Sequence, residues 1–529
     1  MRGGRPSGLM ANFDTLRADY DAMKSSRFVR TRVGLAPQGG SADYHLRNET
    51  QYLELIEKSR DAERNDNILG KTIERSATNI VSSGFTLCPN TGDSKLDAEL
   101  YYRWQEFTED PELCDIAGEL TWQEQEQIAV HSMLRDGDVF ALGTEDGQIQ
   151  MIEGHLVRNP KGQAKNKGIV IGVELNDVRR RVRYHVRKES SDPQRTASSQ
   201  ESTAYDVRDA QGVRQAFHFY NPLRVSATRG VTALAPIFQI SGMFEDVNFA
   251  KVVQAQVVSC FAIFRKRELK SDAGLPSTSA SYGSTEIEQT AGGDRLIDNL
   301  EPGAELKGAP GESFEGFSPD VPNTNYFEHA KLLLTMIGIN LGMPFVMVMM
   351  DGSDSNYSGA RIAIDEARRG FRKIQRGLRD KWHRPIYRWK LEQWIADDPI
   401  LAAAQQRLGK KFYANSWRLP AWPYINPLDE AAGQLLRVRN GLTSPRRLHG
   451  ELSQDWEEIA DETIDDNGYA INRAIKMATL INSKLGENDT KVHWREIISL
   501  PTPDGLNLSM PIAATPAKQN GKEASNGNQ

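Results

Sequence analysis

The stretch from Asn323 to Ile395 constrains the fold most, and it has three parts. Tyr326 to Leu341 is an apolar run that reads as a helix. Gly342-Met-Pro344 breaks it and opens a loop that runs to Tyr357. A long basic amphipathic helix then begins near Ser358. In it Ile364, Ala367, Phe371, Ile374, Leu378, Trp382, Ile386 and Trp389 recur every three or four residues, which places them in one stripe. Ser358 is the expected N-cap, because its hydroxyl can accept from a first-turn amide. Pro385 is expected to kink or divide the helix. The opposite face is cationic, with eleven Lys or Arg against three acids between Ala360 and Lys390. Such a face is either a solvated surface or a surface for phosphate or an acidic partner.

The rest of the chain reads as a frame for this stretch. Its 529 residues suffice for two or more domains, and 39% hydrophobic residues suffice for a core. A net charge of -6 excludes a global attraction to nucleic acid, so any such attraction is local. Three cysteines make no disulfide framework and fit a reducing compartment. The N-terminal residues lack the apolar core of a signal peptide. Leu332 to Met350 imitates a membrane span, with Gly338 and Gly342 in a G-x-x-x-G spacing. Asn340 and Pro344 interrupt it, and Lys331 and Asp351 flank it, so a buried helix followed by a loop is expected.

In chain order, residues 1–45 read as an arm and 46–85 as helices ending near Gly84, a suitable left-handed C-cap. Residues 95–135 are helical again. Short strands are expected at Val139–Leu142, Ile149–Ile152, Gly168–Val173, Val182–Val186 and Phe217–Pro222. The basic cluster Arg179 to Arg183 reads as a solvated edge, and residues 189–212 as a polar loop. A long helix is expected over Ala235 to Phe264. Residues 268–320 show little periodicity and read as a small projecting module between two helices. Trp417 to Pro427 is a proline-rich extended crossing. Residues 428–485 are helical and acidic, and the tail from Pro501 is expected to be disordered.

Catalytic motifs are missing. There is no phosphate-binding glycine loop, dinucleotide fingerprint, nucleophile elbow or H-E-x-x-H. His131 reads as a satisfied surface histidine, and Cys88 and Cys114 lack partners at metal spacing. Asp351, Asp354 and Asp365 read as turn and capping residues rather than a metal site. No enzyme, cofactor or metal is expected.

The order of several motifs resembles the portal proteins of tailed bacteriophages, in their lambda-like branch. They are Arg60 to Asn67 with Asn79 to Gly84, then Arg229 to Pro236. Gly342-Met-Pro344 with Asn356-Tyr-Ser-Gly-Ala-Arg361 is the most specific. Trp422 to Pro427, then Asn440 to Ser444 and Gly450 to Glu458, complete the set, over about residues 45–485. Ser358-Gly359 departs from the two serines more usual in the family. The resemblance implies an α+β, mainly α-helical portal fold of wing, stem, clip and crown, forming a ring, usually dodecameric.

Carried onto this chain, the resemblance makes 46–234 and 358–427 wing, 235–264 and 323–341 the stem helices, 265–322 the clip, 342–357 the tunnel loop and 428–485 the crown. The arm (1–45) and a flexible tail (486–529) flank them. It implies a DNA channel lined by Pro344, Phe345, Val346, Met347, Val348, Met349, Met350 and Asp351. The basic wing helix supplies Arg361, Arg368, Arg369, Arg372, Lys373 and Arg376. Implied partners are further copies of the chain, non-specific double-stranded DNA, the terminase large subunit, a head–tail adaptor and the major capsid or scaffolding protein, with no membrane. The implied place is the capsid portal vertex of the virion, after assembly in the host bacterial cytoplasm. A membrane-active protein resting on Leu332 to Met350, a DNA-binding protein resting on Leu442 to Leu452, and a metal-dependent nuclease resting on Asp351 are the competing readings.

Overall fold

The computed structural model describes residues 49–160, 168–188, 202–260, 264–267, 285–290, 293–298, 312–315, 324–353, 356–423, 426–452, 454–486 and 490–498. The expected arm, Asp354 and the tail from Pro501 lie outside the described residues. The chain divides into two compact units, 1–420 and 421–529. The described residues are mostly helical, with small antiparallel sheets.

The first unit opens with α1 (Glu49–Asn65) and α2 (Leu69–Val81). Asp66 between them accepts from the Ile68 and Leu69 amides and so starts α2. Leu69, Ile73, Ala77 and Ile80 turn into the core. The chain leaves α2 through Gly84 at φ +85, a conformation that costs glycine little. β1 (Thr86–Pro89), α3 (Ser94–Glu109) and α4 (Trp122–Arg135) follow; Thr121 and Glu124 form a capping box on α4. β2 (Asp138–Gly143) and β3 (Ile149–Glu153) make a hairpin. β4 (Ile169–Val170), β5 (Val173–Leu175), β6 (Arg181–Arg187) and β7 (Ser202–Asp206) form a second sheet in sequence order. β8 (Ala216–Tyr220) then returns to pair with β2. Phe140, Val157, Val173, Tyr184 and Ala216 join the two sheets in one core.

Three expectations change in this region. The run Gly168 to Val173 is not one strand, because Ile171 and Gly172 adopt φ 46 and 76 and reverse the chain between β4 and β5. The loop expected over 189–212 contains β7. The arginines of β6 are not on an edge, since β6 pairs with β5 and β7. Arg181 donates to the Tyr220 hydroxyl at 2.6 Å, and Arg183 to Asp206 at 2.8 Å.

α5 (Phe238–Cys260) begins three residues after the expected Ala235. Leu234, Ala235 and Ile237 instead form a buried turn before it. β9 (Phe264–Arg267) precedes the stretch expected to be irregular, 268–320, which itself contains β10 (Thr285–Thr290), β11 (Gly293–Asp298) and β12 (Glu312–Glu315). β10 and β11 form a hairpin. β9 pairs with β12, from Phe264 opposite Glu315 to Arg267 opposite Glu312, so the two ends of the excursion are tied together.

After it come α6 (Thr324–Leu341), α7 (Phe345–Met349) and α8 (Tyr357–Leu378). Asn356 rather than Ser358 caps α8, its side chain accepting from Gly359 at 2.6 Å. The single long helix is divided: a π turn at Arg379–His383 separates α8 from α9 (Arg384–Asp397). Pro385 lies in the first turn of α9, and the wide turn before it relieves the clash its ring would make with the preceding carbonyls. The stripe packs inward at Ala367, Phe371, Leu378, Trp382, Ile386 and Trp389, whereas Ile374 is half-buried and Gln375 takes the core position beside it.

α10 (Pro399–Leu408) and β13 (Asn415–Arg418) close the unit. β13 pairs with β1, so the extended crossing starts as a strand. Trp104 meets Trp122, Tyr387 and Trp417 edge to face at 5.3–5.6 Å. The second unit holds α11 (Pro427–Arg439), α12 (Pro445–Glu451) and α13 (Trp456–Asn482), capped by Asn426, Ser444 and Asp455.

Candidate functional site

The lead-in to α5 is fixed by a buried ion pair. Arg229 uses every donor of its guanidinium. Nε and Nη2 fork onto Asp138, Nη1 donates to the carbonyls of Val157 and Ile171, and Nη2 also reaches Gly154. Its plane lies 4.8 Å from the Tyr52 ring and 5.0 Å from Phe140. The bidentate fork and full pairing offset the cost of burying both charges. Arg229 and the two hydrogen bonds to its carboxylate hold Asp138 well below the usual carboxylate range, although burial opposes this. His218 also reaches Asp138, at 3.1 Å, and lies between Phe140 and Tyr220. Burial holds its pKa down at about 3, so the ring is neutral. Gly230 and Gly137 cross so closely that a Cβ on Gly230 would lie 1.8 Å from the Gly137 carbonyl oxygen. Only Arg229 falls in a motif read from the sequence; its ion-pair partner Asp138 is 91 residues away, and Tyr52 lies further still.

The break after α6 has a definite geometry. The Gly342 amide donates to Ile339 and the Met343 amide to Gly338, at 3.1 and 2.9 Å, with Gly342 at φ +69. These two bonds and the left-handed glycine are a Schellman stop. Pro344 then begins α7, and Met350 ends it in the left-handed region at φ 56. The expected open loop therefore contains a helical turn. Val348 is buried, as is Met343, so Val348 does not belong to an exposed lining; this corrects the expectation for that residue. Phe345, Val346 and Met347 are half-buried, while Met349, Met350 and Asp351 are exposed. The Lys331 ammonium sits 5.3 Å from the Phe345 ring centroid. Asp351 accepts from the Ser353 amide at 2.9 Å, which lowers its pKa and makes it a turn residue.

The cationic face of α8 is partly self-neutralised. Arg368 lies 3.7 Å from Asp365 and Arg369 2.9 Å from Glu366. Arg372 donates to the Pro420 carbonyl at 3.1 Å, and burial lowers its pKa. Arg361 is half-buried. Lys373 and Arg376 are exposed and have no ion-pair partner among the described residues. The two candidate sets thus lie on separate elements, α7 with its following turn and α8.

Among the described residues no helix is long and apolar enough to cross a membrane, and no group of three or more His, Cys, Asp or Glu is placed to hold a metal ion. His131 meets Glu63 at 2.7 Å, as a satisfied histidine should.

The family model for "Phage portal protein, lambda family" matches residues 30–375. That span exceeds half of the chain and includes the Arg229 lead-in, α5 to α7 and the first turns of α8. The chain belongs to this family. Its function is that of a portal protein, a structural component of the virion, and the membrane-active and DNA-reading alternatives are not favoured. No curated protein compared with the portal chain matches it. Among solved structures it is similar to a chain in the neck of an empty GTA particle computed with C6 symmetry. There the identity is 10% and the TM-score 0.42, over 76% of this chain and 94% of that one. It is also similar to a chain in the virion of a native gene transfer agent particle, with identity 10%, TM-score 0.39 and coverage of 76% and 93%.

Proposed function

We propose that copies of this portal chain close into a ring whose channel passes double-stranded DNA. The supporting observation is the pair α5 and α6 with the strand-tied excursion between them. Tyr326 of α6 donates to Asn248 of α5 at 2.5 Å, so the rods touch. In the single chain they nevertheless expose Phe249 at 72%, Phe327 at 59% and Ile339 at 69%. Apolar surface of this kind calls for a cover, and a rotating head-to-tail contact between identical copies supplies one. A dodecamer is the ring size carried by the family resemblance.

In this reading α5 and α6 are the stem, residues 265–322 the clip, residues 46–234 and 358–427 the wing, and residues 428–485 the crown. The clip docks the terminase large subunit during packaging and a head–tail adaptor afterwards, and the outer ring meets capsid or scaffolding protein. α7 and the turn after it face the duplex. A channel must hold a polyanion without gripping it, because each strong cationic contact adds to accumulated affinity. Met347, Met349 and Met350 offer deformable uncharged contacts, and Asp351 repels phosphate. Lys373 and Arg376 on α8 are left to meet an acidic surface of the adjacent copy.

Electron microscopy of the purified chain tests the ring: annular particles with a central hole are expected, and compact single particles under every condition overturn the reading. Replacing Met347 and Met349 by Lys should leave the annulus intact and slow or block DNA filling of heads. Normal filling would remove α7 from the channel.

A further inference from the structure

The α7 turn is too short to be stable by itself. Five residues close barely one turn, and the last carbonyls of any helix lack partners within it. Something outside must hold it, and the holder is α2. From Arg75 the Nη1 group donates to the Met347 carbonyl at 3.5 Å and, more closely, to that of Val348. A guanidinium here satisfies the carbonyls and complements the negative end of the turn. The next residue, Ser76, donates from its hydroxyl to the Met343 sulfur at 2.8 Å. From below, Gly338 of α6 supplies the space: a Cβ there would stand 2.5 Å from the Met343 oxygen and 2.9 Å from a Val348 methyl. The far end of α2 is gripped in turn by α8, where Gln375 Nε2 donates to the Ile80 carbonyl at 2.8 Å.

We propose that Arg75 is the positioning residue of the channel segment. It fixes the rotation of α7, so that Val348 and Met343 face the protein and Met349 and Met350 face outward. Through α2 it also ties that rotation to the wing helix α8. This deepens the portal reading and rests on it. Turning α7 by one residue would exchange the outward side chains, so the composition of the lip is set by a contact outside the lip. The alternative is that Arg75 only adds local stability.

The test uses the full-length chain in its purified assembly, with Arg75→Met, Arg75→Lys and the wild type. Thermal melting first verifies folding. Hydrogen peroxide converts exposed thioethers to sulfoxides, releasing water, and peptide mass spectrometry reads each methionine. In the wild type Met350 oxidises and Met343 is protected. In Arg75→Met, oxidation of Met343 should quicken roughly tenfold, as expected when a charge-assisted hydrogen bond leaves a local opening equilibrium. Arg75→Lys, which keeps the charge but not the fork, should lie between. The same variants are then built into heads and the packaged DNA is measured, a readout that local stability alone would not move. A fall in DNA length or retention in step with Met343 exposure supports the proposal. Unchanged Met343 protection overturns it, and so does lost protection with normal filling. Failure of the portal reading is distinguishable, since wild-type heads would then also fill without dependence on this chain, whereas Met343 protection is measured on the purified protein.

Discussion

Single residues decide how the wing core responds to acid. His218 is buried, and burial penalises its charged form enough to keep it neutral even beside Asp138, whose charge Arg229 pairs. Its folded pKa of about 3 lies below its ordinary value of about 6.5. Below pH 6.5 the unfolded chain takes up a proton that the folded chain refuses, so stability falls as pH drops from about 6.5 towards 3. By pH 5 this one group costs about 2 kcal/mol. Denaturant midpoints at pH 7 and pH 5 should show the fall, and His218→Gln should shrink it by about that amount. An unchanged pH dependence in the variant would mean that the ring is charged in the folded state. Depressed Asp138 acts in a separate window: its contribution is present above its ordinary pKa and is lost only in strong acid. The sequence marks Arg229 only as the start of a motif; that it meets Asp138 and His218, which lie on two other segments, is not legible there.

At the scale of elements, legibility followed periodicity. The α8 stripe was readable because apolar residues at three- and four-residue steps can share only one helical face. Gln375 was not, because its place in the core depends on two distant carbonyls, Ile80 and Pro420, at 2.8 and 3.2 Å. The strands β9 to β12 leave no sequence signal because runs such as Thr-Glu-Ile-Glu-Gln-Thr lack apolar alternation. Asn356 outcompeted Ser358 as a cap although both have the right chemistry, since the helix starts at Tyr357. Glycines give the sharpest element-scale contrast. Gly338 carries the close approach of α7, and Gly338→Ala should cost about 1–3 kcal/mol as the Met343 carbonyl is pushed away. Gly370 lies on α8 with open space around it, so Gly370→Ala should instead stabilise by about 0.5–1 kcal/mol. Hydrogen exchange on the two variants should show α6–α7 loosening in the first and α8 tightening in the second. Equal protection of Gly338→Ala and wild type at α7 would contradict the close approach.

At the scale of the molecule, the sequence order of helix, irregular stretch and helix was enough to locate an excursion, but not where it can be cut. Removing 268–320, the stretch that lacks periodicity, would delete β12 and leave β9 without its partner. An unpaired strand edge next to exposed apolar rods invites misassembly. The pairing of Phe264–Arg267 with Glu312–Glu315 marks a better boundary, since a short Gly-Asn turn can join Arg267 to Glu312 and keep the pair. The chain lacking 268–311 should therefore still form annular particles seen by electron microscopy, because α5, α6 and the wing core retain their contacts. It should lose binding to the packaging motor and to the head–tail adaptor, measured by co-sedimentation with each. Retained binding would take docking away from the excursion and give it to another surface. Loss of the annulus itself would show that copies meet through the excursion as well as through the rods.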